Sequence, residues 1–291
     1  MENKNNLEEI EKFQDEYMEK YGDEPISQFE GLSANQMTYL VEDFFDENSP
    51  IKIYKEISQE VLDTIPLLQL VKYYLNLIVS EGGSLKLTAA GYIPPKQVKE
   101  IYETGFIVDP YVESGEIKIN KELDSMVVEL VKLLSFICKI TVEEKGKIII
   151  TDLGKELLKN ERDLLEVILK GYTKEFNWSY FDLCGENQDF QSHVGYIVYL
   201  LKKFGRKKLP MNLYTKKFIT AFPAAFEDFI SVENENISLE EKEKDFEFVM
   251  YLRAFERFLG YFNLVDVSLK GNNVIMITKS NIFDSVIEFT K

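Results

Sequence analysis

The fold is decided by a stretch that first occurs as Gly83-Ser84-Leu85-Lys86-Leu87-Thr88-Ala89-Ala90-Gly91. It recurs 63 residues later as Gly146-Lys147-Ile148-Ile149-Ile150-Thr151-Asp152-Leu153-Gly154. A weaker third copy follows a further 127 residues along, as Asn273-Val274-Ile275-Met276-Ile277-Thr278-Lys279-Ser280-Asn281. Each copy is a short apolar or β-branched run that ends in Thr, a composition that is typical of β-strands. The recurrence predicts one small structural unit that is used three times.

The residues around each copy extend this unit. Turn residues precede every run, and Gly and Asn accept the positive φ angles of tight hairpin turns. The Thr at the end of each run is predicted to cap the N-terminus of a following helix, which after the second copy runs from Asp152 to Lys159. A helix is also predicted before each turn, over Leu67 to Ser80, Leu123 to Phe136 and Leu239 to Phe262. The unit therefore has the order helix, strand, turn, strand, helix.

This order resembles the winged-helix family, in which a β-hairpin, the wing, follows the helix of a helix-turn-helix. The resemblance is carried by Leu85-Lys86-Leu87-Thr88-x-x-Gly91, Ile148-Ile149-Ile150-Thr151-x-x-Gly154 and Ile275-Met276-Ile277-Thr278-x-x-Asn281. The first two copies are clear, and the third is degenerate because Asn replaces Gly. Many DNA-binding members have a basic recognition helix. Here the helix before the second wing contains Lys132 but also Asp124 and Glu129, which argues against major-groove reading by that unit.

Length and composition indicate a folded protein. The chain has 291 residues, 45% of them hydrophobic, which is enough for one large or two ordinary domains. No apolar run approaches the ~20 residues that span a bilayer, and Met1-Glu2-Asn3-Lys4 leads into an acidic segment without the apolar core of a signal peptide. The two cysteines, Cys138 and Cys184, agree with a reducing compartment. We therefore expect a cytoplasmic protein that does not enter a membrane.

Together these patterns predict an α+β fold that is mainly helical, with winged-helix-like units, short β-hairpins and a helical middle region. Ser33-Ala34-Asn35-Gln36 and Ser238-Leu239-Glu240-Glu241 have the form of capping boxes and mark two helix starts. The predicted division is an acidic helical N-terminal region (1–60), a first unit (61–122), a second unit (123–160), a helical middle region with a basic cluster (161–236) and a degenerate third unit (237–291).

Charge is spread unevenly along the chain. The formal net charge is −16, which argues against general coating of nucleic acid, because phosphate contacts need Lys and Arg. Residues 191–226 nevertheless contain no acidic residue. This basic cluster consists of Lys202, Lys203, Arg206, Lys207, Lys208, Lys216 and Lys217.

The basic cluster has two interpretations. On a common surface, its side chains would meet phosphates or an acidic partner. Alternatively, they pair internally with the acidic residues of 1–49 or of 227–247. Sequence alone leaves both interpretations open.

Residues that carry chemistry are few. His193 is the only histidine, and Cys184 with His193 and Asp182 or Asp189 is the one arrangement that would suit a Cys–His nucleophile. The chain has too few Cys and His residues for a structural zinc site, and it lacks the Gly-rich phosphate-binding motifs. We therefore expect no metal and no cofactor.

The leading functional hypothesis is a non-enzymatic protein-interaction scaffold whose partner is an unknown protein. The alternative is a nucleic-acid-binding, transcription-regulator-like protein that uses the basic cluster. An enzyme with a Cys/His site comes third. Either a monomer or a homodimer is compatible with the charge pattern.

Overall fold

The computed structural model describes residues 18–45, 47–182, 184–185, 188–231, 237–271 and 273–290. Helices predominate, and the strands form three small antiparallel sheets. The predicted α+β class is confirmed. None of the helices in this part of the chain has the length and apolar character that crossing a bilayer requires.

The N-terminal region begins with a helix that its own sequence defines. The amide of Gln36 donates to the Ser33 hydroxyl (3.2 Å), and the Ser33 amide donates to the Gln36 side chain (3.0 Å), so the predicted capping box is present. This region contains α1 (Ala34–Asp43), β1 (Ile51–Ile53) and α2 (Gln59–Leu62).

The first structural unit follows. Its elements are α3 (Pro66–Ser80), β2 (Ser84–Lys86), α4 (Pro95–Tyr102), α5 (Pro110–Glu113), a 3-10 turn (Glu122–Asp124), α6 (Met126–Ile137), β3 (Thr141–Glu144), β4 (Lys147–Ile150) and α7 (Asp152–Leu157). The strands are ordered β2-β4-β3. Lys145 and Gly146 join β3 to β4 with φ angles of 50° and 71°, as a two-residue hairpin with this twist requires.

A helical connector then leads to the second unit. It consists of α8 (Glu161–Lys170), a π-helical turn (Gly171–Glu175), a 3-10 turn (Trp178–Phe181) and α9 (Gln188–Ser192). Trp178 is buried, and its indole N–H donates to the carbonyl of Tyr172 (2.8 Å). The connector therefore belongs to the core.

The second unit repeats the order of the first. Its elements are α10 (Val194–Phe204), β5 (Leu209–Pro210), α11 (Met211–Ala221), α12 (Pro223–Ser231), α13 (Leu239–Met250) with a π-helical continuation (Tyr251–Leu259), β6 (Val265–Lys270) and β7 (Val274–Lys279). The strands are ordered β5-β7-β6, so the first strand again pairs with the last. The chain continues into α14 (Phe283–Val286) and β8 (Ile287–Phe289), and β8 pairs with β1.

The two units also agree in hydrogen-bonding detail. The last residue of β4, Ile150, donates to the carbonyl of Gly83 (3.3 Å), and the last residue of β7, Lys279, donates to the carbonyl of Gly205 (2.9 Å). The residue pair at the base of each hairpin is Thr141 with Ile150 in one unit and Val265 with Lys279 in the other. The equivalent of Ile150 is therefore Lys279.

Strand pairing crosses two of the predicted boundaries between units. The first copy forms β2 and the second forms β4, and these strands pair directly, with Leu85 opposite Ile148. The predicted boundary between 61–122 and 123–160 therefore falls between strands of one sheet. The boundary between 161–236 and 237–291 does the same, since β5 pairs with β7. Short apolar strands that end in Thr look alike whether they lie in separate units or side by side.

The Thr residues of the repeat have different local roles. Thr151 caps α7 as predicted, because the Gly154 amide donates to its hydroxyl (3.0 Å). Thr88 does not begin a helix. It closes a turn in which the Tyr92 amide donates to the Thr88 hydroxyl (3.1 Å), and α4 starts only at Pro95. Two prolines at 94 and 95 exclude an earlier start, because proline disfavours a helical conformation in the residue before it.

One apolar core runs through both units. The buried side chains of α1, the two units and the connector form a single contiguous cluster. The fold is therefore held as one packed body instead of as modules on linkers, in agreement with the absence of any low-complexity segment.

Candidate binding surface

The basic cluster divides into side chains with and without an ion pair. Lys202, Lys203 and Lys217 form ion pairs within the chain, although Lys203 is itself exposed. Arg206, Lys207, Lys208 and Lys216 are exposed and form no ion pair with a described residue. The two interpretations of the cluster therefore each apply to a part of it.

Glu30 forms ion pairs with two lysines of the basic cluster. Its carboxylate lies 3.1 Å from the Lys203 ammonium and 2.5 Å from that of Lys217. Its carbonyl accepts a hydrogen bond from the Tyr199 hydroxyl (2.9 Å) and another from Lys203. Burial alone would raise the pKa of Glu30, but the hydrogen bonds and charges of Lys217 and Lys203 outweigh it and hold that pKa below its usual value. This pairing ties the acidic N-terminal region to α10 and α11.

Asp284 receives Lys202. Its carboxylate lies 2.8 Å from the Lys202 ammonium and also pairs with Lys279 at the end of β7. Burial would raise the pKa of Asp284, yet the two lysines lower it overall. Lys202 thus joins the C-terminal end of α10 to α14.

Three of the exposed basic side chains are adjacent in the sequence. Arg206, Lys207 and Lys208 are consecutive in the turn between α10 and β5, and we call them the basic turn. Among the residues that the structure describes, none forms an ion pair with these three. Lys216 differs, because it lies on α11 near Glu247. Burial raises the pKa of Glu247, and a hydrogen bond with Thr215 and the charge of Lys216 oppose this rise. Within the basic cluster, only the basic turn is therefore exposed with neither an ion pair nor a recognised acidic neighbour among the described residues.

The helix before each hairpin is where a groove-reading surface would have to lie. In the first unit this helix is α6, and every residue from Met126 to Ile137 is buried or half-buried. It packs on α3, on α4 and on the π-helical turn of the connector. In the second unit the exposed face of α13 carries Leu239, Glu240, Glu241, Lys244, Asp245 and Phe248. One helix is thus covered and the other is acidic.

Lys132 forms a buried ion pair inside the first unit. Its ammonium lies 2.9 Å from the Glu122 carboxylate and 3.2 Å from the carbonyl of Gly91. The other Glu122 oxygen accepts from the amide of Ile93 (2.5 Å). The basic residue of α6 is therefore an internal partner of the Thr88–Gly91 turn, and it is not available to a ligand.

A second buried charge was missed by the sequence analysis. The guanidinium of Arg253 is almost fully buried and contacts both carboxylate oxygens of Asp182, at 2.9 and 2.7 Å. Arg257 adds a contact to Asp182 (3.3 Å) and donates to the carbonyl of Phe181 (2.9 Å). The only signal in the sequence is two arginines four residues apart in the stretch 251–259, which is otherwise apolar except for Glu256. The network fastens the connector to the second unit.

The Cys/His hypothesis finds an unfavourable environment. Cys184 follows the buried Asp182, and burial together with this carboxylate raises the pKa of its thiol, which disfavours a thiolate nucleophile. His193 precedes α10, with its ring against Phe222 at 4.1 Å between centroids and its Nδ1 3.1 Å from the Ser192 hydroxyl. Cys138 is buried, and burial raises its pKa to about 12.

The cavities and the arrangement of possible metal-ligating side chains give little indication of a ligand site. A cleft of about 520 Å³ lies between α1, the π-helical turn and α9, with Glu42, Lys174 and Glu175 among its lining residues. Gln191 also lines it, but its amide group already donates to the carbonyls of Thr173 and Phe176. Within the described ranges, no three His, Cys, Asp or Glu side chains are grouped to hold a metal ion.

No protein-family model matches the sequence, and comparisons with curated proteins and with solved structures likewise found no match. Function therefore has to be inferred from the geometry and the charge of the chain itself.

Proposed function

We propose that the protein is a non-enzymatic interaction scaffold built from two winged-helix-like modules, residues 66–157 and 194–279. The shared order of helices and strands, with the first strand of each sheet paired to the last, supports this assignment. Each module begins with a helix and a short strand, continues through further helices and ends in a hairpin, so that a hairpin follows a helix as the sequence resemblance implies. The continuous core holds the two modules in a fixed relation.

The observation that carries the scaffold hypothesis is the state of the two helices that precede the hairpins. Reading a duplex requires an exposed helix with basic or hydrogen-bonding side chains. Helix α6 has no exposed residue, and the exposed face of α13 is mainly acidic. Phosphates would be repelled by the second and could not reach the first, so neither module is suited to groove reading.

The partner is expected to contact the basic turn. Arg206, Lys207 and Lys208 present three exposed positive charges on a chain with net charge −16. Opposite charges across an interface steer association and select partners more than they add raw affinity. An acidic segment of another protein is the chemistry that fits this turn.

A charge-reversal variant tests the scaffold proposal. We expect that tagged protein with Arg206→Glu, Lys207→Glu and Lys208→Glu loses a protein partner that the unchanged chain retains. Lys96→Glu with Lys99→Glu, at exposed positions of α4, is the matched control and should retain it. Quantitative mass spectrometry of the retained proteins is the measurement. An identical set of partners for all three proteins would contradict the proposed contact.

Nucleic-acid binding remains the second candidate, because the basic turn is also suited to phosphates. It predicts that the purified protein binds a random-sequence duplex pool with an affinity that falls steeply with salt. Fluorescence anisotropy across a salt titration measures this. Binding that the basic-turn variant abolishes would favour the nucleic-acid hypothesis over the scaffold. An absence of binding at low salt would leave the protein partner as the preferred function.

A further inference from the structure

The outer strand of the second sheet is open on one side. In the order β5-β7-β6, strand β6 is at the edge of the sheet. It pairs with β7 on one side, and no strand in the described chain pairs with its other side. Its six residues, Val265–Lys270, are long for an unprotected edge. An exposed strand edge offers unpaired backbone N–H and C=O groups to another strand.

The two faces of β6 differ in character. Val265, Val267 and Leu269 share one face, and the side chains of Val267 and Leu269 are 37% and 67% exposed. Asp266, Ser268 and Lys270 share the other face, with Asp266 and Lys270 exposed. The edge therefore combines an apolar stripe with one negative and one positive charge.

We propose that a second copy of this chain occupies the edge, with the two β6 strands antiparallel about a two-fold axis at Ser268. This register places Val267 opposite Leu269 of the second copy on the apolar face. On the other face it places Asp266 opposite Lys270 of the second copy, and the symmetry produces this ion pair twice. The result is one continuous six-stranded sheet. The inference does not depend on the proposed scaffold function.

Pleating and charge together select this register. A slip of one residue would bring each apolar side chain opposite a polar one, because side chains alternate between faces. A slip of two residues keeps the faces matched but leaves Asp266 without Lys270 opposite it. Of these registers, only the one with its axis at Ser268 both aligns the apolar faces of the two strands and places Asp266 opposite Lys270.

The small side chain of Ser268 is compatible with the same axis. About this axis each Ser268 lies directly opposite its equivalent, where the Cβ atoms of antiparallel strands are about 4.5–5.5 Å apart. The hydroxyl oxygen is covered within the single chain, so the pairing is carried by the backbone, the apolar stripe and the two charges.

The edge strand of the first unit provides a contrast. Strand β3 has the sequence Thr141-Val142-Glu143-Glu144, with both glutamates exposed. Self-pairing would bring like charges together, which is one way in which natural sheets protect an edge. The two units thus share strand order but differ at the strand that would meet a second copy.

Charge reversal provides a test with an internal control. Sedimentation velocity of the full chain, from low to high micromolar concentration, should show a reversible monomer–dimer equilibrium. Lys270→Glu alone and Asp266→Lys alone each place like charges opposite one another and should weaken the dimer about tenfold or more. Lys147→Glu, at an exposed position in the hairpin of the first unit, should leave it unchanged.

Mixing the two single variants completes the test. In a heterodimer of Lys270→Glu with Asp266→Lys, every opposite pair is again of unlike charge, so dimerisation should return to the unchanged level. Recovery on mixing cannot arise from misfolding of either variant. A chain that stays monomeric at all concentrations would overturn the proposal. So would a dimer that is unaffected by both reversals, or variants that do not recover on mixing.

Discussion

Thr151 and Ser280 occupy the same position in the two halves of the molecule. The Thr151 hydroxyl donates to the carbonyl of Lys139 (2.9 Å), and the Ser280 hydroxyl donates to the carbonyl of Asn263 (2.6 Å). Lys139 and Asn263 both have positive φ, at 57° and 54°, just after the helix that precedes each hairpin. Each hydroxyl therefore fastens the end of a hairpin to the turn at its start.

Removing either hydroxyl should destabilise the unit in which it lies. Thr151→Ala and Ser280→Ala are each expected to lower the free energy of unfolding by about 1 kcal/mol, because each leaves a carbonyl without its side-chain donor. Thr151→Ala also removes the cap of α7 and should be the more costly change. Urea denaturation measures both. A cost for Ser280→Ala that is indistinguishable from zero would contradict the equivalence of the two positions.

The Asp182–Arg253 pair should dominate the stability of the connector. Asp182→Asn keeps the shape of the side chain but leaves the buried Arg253 charge uncompensated, so we expect a loss of about 3–5 kcal/mol in the free energy of unfolding. The matched control is Asp152→Asn, at an exposed ion pair with Lys155, which should change that free energy very little. Equal effects of the two changes in chemical denaturation would show that the buried pair is not a principal support.

Gly171 is expected to be needed for close packing against Cys138. A Cβ atom at residue 171 would lie 2.4 Å from the Cys138 sulfur. Gly171→Ala should therefore cost about 1–3 kcal/mol of unfolding free energy, even though Ala favours helices. Cys138→Ala removes the sulfur, so the double variant should lose less than the sum of the two single variants. Strictly additive costs in a denaturation cycle would refute this contact as the cause.

The Glu30 carboxylate should make the stability of the fold depend on pH. Its pKa in the fold lies below the usual 4.5, so the stabilisation from its carboxylate is complete above that value and disappears as the pH falls through the folded-state pKa. Glu30→Gln should be less stable than the unchanged chain at neutral pH, and the difference should shrink in acid. Thermal unfolding between neutral pH and about pH 3 measures this. Glu103→Gln, at an exposed carboxylate, should show no such convergence.

Local patterns in the sequence were sufficient for much of the fold. The capping boxes at Ser33 and Ser238 correctly marked helix starts, and Pro66 is the first residue of α3. These features depend on neighbours within a few residues, which sequence displays directly. The repeat in the sequence places Thr278 at the position of Thr151, whereas the structure places Ser280 there, two residues further along the chain.

Distant pairings could not be obtained in this way. Glu30 meets Lys203 and Lys217 across more than 170 residues of sequence, and Asp182 meets Arg253 across 71. The cluster of seven positive charges is visible in the sequence, but which of them are neutralised depends on how the fold places Glu30 and Asp284 beside α10 and α11. Charge composition therefore located the candidate surface, and tertiary structure reduced it to the basic turn.

The pairing of β1 with β8 has a consequence for folding during protein synthesis. Ile51 lies opposite Phe289, and the amide of Thr290 donates to the carbonyl of Pro50 (3.0 Å). A ribosome releases residue 51 long before residue 289, so β1 has no sheet partner until β8 has been synthesised. Contacts between such distant residues carry a loop-closure cost and slow folding. We expect the first unit to fold while the chain is still growing, and β1 to be paired only after β8 has emerged.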